Sequence, residues 1–208
     1  MTDAETVVAY DDSMPSPGET ETATFALGCF WGPDATFGAM EGVVRTRVGY
    51  AGGSTPDPTY HDIGDHSEAV QAEYDPAVVP FADLVERAVE EHSVRHQPRK
   101  RQYQHVLFYA DGAQRRTIED RLDALAVDEV RTRVERLSSF TNAEDYHQKY
   151  SLRSKRAVLN AFEAAGYDDA DVRDSPAAAK LNARAAGKDV TAREAPWNRP
   201  VESRPDGR

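Results

Sequence analysis

The single cysteine, Cys29, lies in the sequence Gly28-Cys29-Phe30-Trp31-Gly32 and is the residue best suited to chemistry. It follows a short apolar run, residues 24–27, that is typical of a buried strand, and it precedes a helix predicted for residues 32–40. The orphan N–H groups and the positive dipole end of a helix N-terminus favour thiolate over thiol, and the thiolate is the nucleophile. This position favours a reactive cysteine over the small buried hydrophobe that lone cysteines often are.

Two aromatic residues, Phe30 and Trp31, follow the cysteine directly. Beside a reactive sulfur they could line an apolar pocket for a small substrate group, and they could equally well be core residues. One cysteine excludes an internal disulfide and a cysteine-rich zinc site. Any sulfur chemistry therefore depends on this one thiol.

The segments around the cysteine predict alternating strands and helices. Strand patterns cover residues 24–27, 43–51, 69–74, 103–109 and 130–137. Helical patterns cover residues 32–40, 80–92 and 114–127, with alanine-rich helices at 154–165 and 176–186. The order β-α-β-β-α-β-α-β predicts an α+β two-layer fold, with helices packed on one side of a mixed or antiparallel sheet.

The 208 residues are enough for one domain with a hydrophobic core. We predict a loose acidic arm over residues 1–20, a single catalytic domain over residues 21–190 and a flexible tail over residues 191–208. Within that domain the core covers about residues 22–167, and the alanine-rich helices form a C-terminal extension.

The composition limits the partners of the chain. A net charge of −11 argues against sequence-independent binding to nucleic acid, because phosphates require a basic surface. No stretch approaches the roughly 18 apolar residues of a membrane helix. The first twenty residues lack the basic and apolar regions of a signal peptide. We therefore expect no membrane partner and a cytoplasmic location.

Several blocks of the sequence resemble the A-type peptide methionine sulfoxide reductases. Residues 28–32, around the cysteine, look like the signature of that family. Further blocks follow in the family's order at residues 48–60 (VGYAGGSTPDPTY), 66–70 (HSEAV), 101–103 (RQY) and 143–150 (AEDYHQKY). A single five-residue match would be a weak indication, but ordered blocks across roughly residues 24–152 are a specific one.

The resemblance implies a ferredoxin-like α+β fold and a cofactor-free enzyme that reduces methionine S-sulfoxide, free or within oxidised proteins, to methionine. Separate enzymes reduce the two sulfoxide epimers. Cys29 would attack the sulfoxide sulfur, and Glu68, which matches the acidic residue of the family, would protonate the departing oxygen. To do so Glu68 must keep its proton near neutral pH, which burial beside apolar groups can achieve.

The same resemblance implies roles for four aromatic residues. Tyr60 and Tyr103 match tyrosines of the family and would donate hydrogen bonds to the sulfoxide oxygen. Phe30 and Trp31 would surround the substrate methyl group. Taken alone, both tyrosines could be packing residues, and Glu68 could be a solvated carboxylate.

The chain also departs from the pattern of the family. Pro98 and Lys100 stand where an Asp and a Gly are common, the loop over residues 61–67 is short, and Asp34 replaces a Glu. Many relatives carry resolving cysteines near the C-terminus, whereas residues 175–182 (SPAAAKLN) resemble a one-cysteine branch. An external thiol, either a thioredoxin-like protein or a small thiol, would then resolve the oxidised Cys29.

Other functions remain open at the level of sequence. His61, Asp62, Asp65 and His66, or the pair His92 and His96, could bind a metal, although zinc needs three or four convergent ligands. Cys29 could also be the nucleophile of a hydrolase, with His66 or His147 as its base. A third alternative is a binding or regulatory relative whose altered loop has abolished catalysis.

Overall fold

The structure is a computed structural model that describes residues 2–190, so the predicted tail over residues 191–208 lies outside the described residues. The strands are β1 (Glu21–Leu27), β2 (Val43–Ala51), β3 (Ser67–Tyr74), β4 (His105–Tyr109), β5 (Arg133–Arg136) and β6 (Phe140–Asn142). The helices are α1 (Ala4–Asp12), α2 (Trp31–Ala39), α3 (Phe81–Glu90), α4 (Gly112–Asp123), α5 (Tyr150–Arg153), α6 (Arg156–Ala164), α7 (Asp169–Asp174) and α8 (Pro176–Ala185).

The strands form one mixed sheet in the order β5-β4-β1-β3-β2-β6. Every neighbouring pair is antiparallel except β4 and β5, which run parallel. Phe25 on the central strand β1 lies opposite Val70 of β3 and Leu107 of β4, so these three side chains share one face. Helices α2, α3 and α4 cover that face and form the main core with it. The predicted α+β fold with helices on a mixed sheet is confirmed.

The first twenty residues do not form the predicted loose arm. Helix α1 begins after Asp3, whose carboxylate accepts a hydrogen bond from the backbone N–H of Thr6. Val7 and Tyr10 are buried and pack with residues of α6, α7 and α8. The prediction was wrong because these apolar residues are few, yet their spacing puts them on one helical face that a second core can bury.

Around the sheet edge, the structure differs from the predicted strand over residues 130–137. Only Arg133–Arg136 forms β5, because the backbone N–H groups of Arg131 and Thr132 donate instead to the carbonyl oxygen of Val94, at 2.7 and 3.3 Å. Helix α4 ends at Asp123, earlier than the predicted residue 127. The short elements β6 and α7 had no prediction, since three to six residues do not establish a period.

A buried polar cluster fixes α2 to the C-terminal helices. The carboxylate of Asp34, in the first turn of α2, accepts hydrogen bonds from Thr46 and from the side-chain amide of Asn182 on α8. The ammonium of Lys149 lies 3.6 Å from Asp34, and both side chains are almost completely buried. Removing one partner of a buried ion pair costs about 3–5 kcal/mol, so this cluster holds the start of α2 in place.

Candidate active site

The backbone between β1 and α2 presents the sulfur of Cys29. Gly28 has a φ of +94°, which a side chain would strain, and the chain turns there from the strand to the helix. Cys29 itself is exposed. Because β3 runs antiparallel to β1, the start of β3, with Glu68, lies beside the end of β1. The sheet thus brings together two groups that are far apart in the sequence.

Glu68 is 1% exposed and its carboxylate accepts two hydrogen bonds. The backbone N–H of Phe30 donates to Oε2 at 3.1 Å, and the side-chain amide of Gln102 donates to Oε1 at 2.6 Å. Burial raises the pKa of Glu68 above its usual value, although the two hydrogen bonds and the charge of Lys100 oppose this effect. A buried carboxyl with a raised pKa next to a thiol can serve as a proton donor.

The pKa of the Cys29 thiol differs in direction from the sequence-based expectation. Partial burial raises this pKa; the backbone N–H of Trp31 lowers it by a hydrogen bond to the sulfur, and the carboxylate of Glu68 raises it again. The helix N-terminus does act on the sulfur, as predicted, but burial outweighs it. The expected low pKa is therefore wrong, because burial and the charge of Glu68 raise the pKa of Cys29.

The protonation state of Glu68 affects Cys29, because the charge of the Glu68 carboxylate raises the pKa of the thiol. Attack on a sulfoxide needs a thiolate and a proton donor at the same time. In the mechanism that the resemblance implies, the reactive form would hold one proton between the two groups, on Glu68. A proton on Glu68 also removes the negative charge that disfavours the thiolate.

The two tyrosines predicted to bind oxygen lie together beside this pair. The hydroxyl groups of Tyr60 and Tyr103 are joined by a hydrogen bond. Burial raises the pKa of Tyr103, and the charge of Glu68 raises it further, so its hydroxyl keeps its proton and can donate. The backbone N–H of Tyr60 donates to Glu144 at 2.9 Å, which fixes the loop that carries this tyrosine.

The two aromatic residues after the cysteine form the apolar wall of the site. Phe30 is buried against Tyr50, whereas Trp31 is partly exposed. The ring of Trp31 stacks on Tyr150, with centroids 3.8 Å apart and planes 7° apart. His147 lies against both Phe30 and Trp31, at centroid distances of 5.2 and 5.8 Å. This wall is fixed by packing and offers an apolar surface next to the sulfur.

Comparison with known proteins identifies the family. A sequence model described as peptide methionine sulfoxide reductase matches residues 21–175. The chain belongs to this family. The resemblance read from the sequence blocks is thereby confirmed, and the protein is an oxidoreductase that reduces methionine sulfoxide.

Individual relatives and structures agree with this assignment. A peptide methionine sulfoxide reductase of Drosophila melanogaster is 36% identical over 171 residues, which cover 80% of this chain and 68% of the relative. One from Methanococcoides burtonii is 38% identical over 152 residues, which cover 65% of this chain and 99% of the relative. The structure of methionine sulfoxide reductase A of Corynebacterium diphtheriae has 32% identity and a TM-score of 0.59, and the alignment covers 67% of this chain and 77% of that structure.

The structure brings together all six predicted site residues of this reductase, and it adds others that had no assigned role. Gln102 binds the carboxylate of Glu68. Glu144 accepts hydrogen bonds from the Tyr50 hydroxyl and the Tyr60 backbone, at 2.7 and 2.9 Å. Both positions lie in the blocks that carry the family resemblance, which was the available signal. Their roles depend on contacts that no spacing along the chain indicates.

The loop that departs from the family pattern at Pro98 and Lys100 is held in place by hydrogen bonds. Gln97 donates to the carbonyl oxygens of His105 and Arg131, at 2.9 and 3.0 Å, in the loop where the family commonly has an Asp. The side-chain amide of Gln104 donates to the carbonyl oxygen of Pro98 at 3.2 Å. The backbone that leads to Tyr103 is therefore fixed by amide side chains.

The residues considered for a metal site have structural contacts instead. Asp65 accepts hydrogen bonds from the backbone N–H groups of Ser54 and Thr55, and the ring of His66 bonds to the backbone of Gly53 and Thr55. His92, just after α3, bonds to the carbonyl oxygen of Ala88 and to the hydroxyl of Thr132. No group of three or more possible metal-binding side chains converges within residues 2–190.

A cysteine–histidine hydrolase site is not formed in the described part of the chain. Both ring nitrogens of His66 are occupied by backbone atoms. His147 is 3% exposed, and neither of its ring nitrogens has a hydrogen-bond partner in residues 2–190, so it does not bond to Cys29. Burial lowers the pKa of His147, although the charge of Glu144 opposes this effect.

Replacing Gln102 with Leu should shift the acid limb of the pH profile of kcat/KM to higher pH. Below the lower apparent pKa of the pair both groups are protonated and no thiolate exists; above the upper one no proton remains for transfer. Gln102 stabilises the charged carboxylate, so its loss raises the pKa of Glu68, which sets the lower limb. The profile is measured with a methionine sulfoxide dipeptide.

The matched control is Gln104→Leu, which replaces the same residue type in the same loop. The side chain of Gln104 contacts Pro98 and not Glu68. We expect its acid limb to stay at the position of the unmodified reductase. An unchanged limb in Gln102→Leu would show that Glu68 does not set that limb.

Proposed function

We propose that this reductase repairs oxidised proteins in the cytoplasm by reducing methionine S-sulfoxide, protein-bound or free, with Cys29 as nucleophile and Glu68 as acid. One observation carries the proposal. The buried carboxyl of Glu68 accepts the N–H of Phe30, the residue directly after Cys29, and its charge acts on the thiol. Nucleophile and acid are thus held on the same side of the sheet edge.

The first half-reaction transfers oxygen from the substrate to the enzyme. The thiolate of Cys29 attacks the sulfoxide sulfur while Glu68 gives its proton to the sulfoxide oxygen. The substrate S–O bond then breaks, the hydroxyl group moves to the cysteine sulfur, and methionine leaves. The substrate sulfur gains two electrons, Cys29 becomes a sulfenic acid, and Glu68 is left as a carboxylate.

Substrate recognition uses the neighbouring aromatic side chains. The hydroxyl groups of Tyr60 and Tyr103 donate to the sulfoxide oxygen, which is where negative charge develops until the proton arrives. The wall of Phe30 and Trp31 takes the S-methyl group, which is apolar and small. An oxidised group that lacks this methyl would leave the apolar surface of Phe30 and Trp31 exposed to solvent.

The second half-reaction needs a thiol from outside the chain, because Cys29 is the only cysteine in the sequence. An external thiol loses its proton and attacks the sulfenic sulfur as a thiolate; the S–O bond breaks, the departing hydroxide takes up that proton as water, and a mixed disulfide remains on Cys29. A second thiol attacks this disulfide and restores the cysteine. The reductant is a thioredoxin-like protein or a small thiol, and the exposed position of Cys29 supports access for either.

Without added reductant the enzyme should release about one methionine per chain and then stop, since one sulfur can accept one oxygen. The released methionine is quantified after mixing the enzyme with excess sulfoxide dipeptide. A sulfenic-acid probe should label Cys29 in the stalled protein, and a dithiol should restart turnover. The R epimer of the dipeptide serves as the control and should release none.

Two methionines per chain in the absence of reductant would contradict this scheme. Such a result would require a second source of electrons, for example a disulfide between two chains. Electrophoresis without a reducing agent would detect that dimer.

A further inference from the structure

A basic segment borders the active site of this acidic protein. The chain carries 36 acidic and 25 basic residues, yet residues 92–110 contain no Asp or Glu. Three exposed cations lie in this stretch, Arg95, Arg99 and Lys100, and we refer to them as the basic rim. The reaction steps described above use none of the three.

The rim reaches the catalytic groups through Lys100. Its ammonium lies 5.0 Å from the centroid of the Tyr103 ring, and its charge lowers the pKa of Glu68. Arg99 is the next residue along the chain and is exposed as well. Positive charge therefore stands beside Tyr103 and within electrostatic reach of Glu68, at the edge of the site.

The structure holds this segment rigidly without using the charges of the rim. Its neighbour Arg101 is committed to the fold, because it donates to the carbonyl oxygens of Asp65 and Gly52, at 2.8 and 3.0 Å. By contrast, Arg95, Arg99 and Lys100 form no ion pair with any acid within residues 2–190. Three exposed cations within six residues of the chain, with no acid in the same stretch, raise the local concentration of negatively charged ligands.

The positive charge of the basic rim opposes the negative net charge of the whole chain. At −11 the protein repels acidic polypeptides at long range. A local positive field at the mouth of the site removes this repulsion where binding occurs. Contacts between like charges at an interface cost free energy. Contacts between opposite charges mainly increase specificity and the association rate. A basic patch at the site can therefore select among substrates by their charge.

We infer that the basic rim binds acidic residues next to the oxidised methionine, so that the preferred substrates are acidic polypeptide segments. This inference rests on the proposed function and specifies its substrate class. Carboxylates on either side of the methionine sulfoxide would pair with Arg95, Arg99 or Lys100 while the sulfoxide occupies the site beside Cys29. Neutral and basic segments lack this contribution to binding.

The test compares three peptides that carry one central methionine S-sulfoxide, flanked by Glu, Ser or Lys. Dithiothreitol is the reductant, because it is uncharged and leaves the peptide as the only charged partner. At low ionic strength we expect kcat/KM to fall in the order Glu, Ser, Lys, with the Glu peptide about three- to tenfold above the Lys peptide. The difference should lie mainly in KM. At about 1 M salt the Debye length is near 3 Å, and the order should largely disappear.

The diagnostic variant is Arg99→Glu, which should remove or reverse the preference and leave kcat/KM for the Ser peptide unchanged. Lys100 is unsuitable for this purpose, because its charge acts on Glu68. The matched control is Arg116→Glu, an exposed position on α4 that changes the net charge by the same amount. We expect this control to retain the preference for the Glu peptide.

Equal kcat/KM values for the Glu and Lys peptides would overturn the inference, and so would the same loss of preference in Arg116→Glu. A rim variant that alters only the use of an acidic protein reductant, with the peptide order intact, would also overturn it. Failure of the unmodified protein to reduce the Ser peptide would instead contradict the proposed function, so the two failures are distinguishable.

Discussion

If the sulfur of Cys29 is the nucleophile, replacing Cys29 with Ser should abolish sulfoxide reduction, with or without a reductant. Serine has nearly the same shape, but its hydroxyl does not ionise near neutral pH and cannot carry the oxygen as a sulfenic acid. No other cysteine in the chain can replace it. Methionine release from a sulfoxide dipeptide measures the effect.

The exposed position of Cys29 makes this variant easy to interpret, because the side chain is not part of the hydrophobic core. Its thermal unfolding midpoint should match that of the unmodified protein. Normal turnover by the folded variant would refute the thiol mechanism and, with it, the proposed function.

Glu68→Gln should lower kcat by about 10²–10⁴, the usual contribution of general acid catalysis. The amide preserves the shape of the side chain, yet it has no proton to give to the sulfoxide oxygen. KM should change much less than kcat, since the loss falls on the chemical step. Steady-state kinetics across the pH range measure both constants.

A matched control for this variant is Glu86→Gln on α3, an exposed carboxylate that pairs with Arg121 at the surface. Its kinetic constants should equal those of the unmodified enzyme. If Glu68→Gln stayed within a few-fold of the unmodified enzyme, Glu68 would have a structural role and another group would protonate the oxygen.

The sequence alone determined the family and indicated the candidate site residues. Cys29 stood out because a lone cysteine between a buried run and a helix start is a local pattern, and the ordered blocks identified Glu68, Tyr60 and Tyr103 by position. The α+β fold also followed from local periods, because side chains that face a core repeat every two residues in a strand and every 3.6 in a helix. These signals lie along the chain and need no knowledge of distant neighbours.

Elements with weak local signals required the tertiary structure. Helix α1 is only nine residues long, and its docking against α6 and α8 buries Val7 and Tyr10. Residues 131–132 carry a strand pattern, but their N–H groups bond to Val94. A competing long-range partner decided the outcome in each case, and such partners override local preference.

The properties of the site were likewise settled by three-dimensional contacts. The sequence predicts a low pKa for Cys29 from its place before α2, whereas burial and the carboxylate of Glu68 raise that pKa. Gln102 binds Glu68 from 34 residues away. Burial and charge–charge interactions depend on distances in space, which the sheet sets by pairing β1 with β3. The sequence could therefore indicate the candidate groups, but only the fold shows how burial and neighbouring charges shift their pKa values.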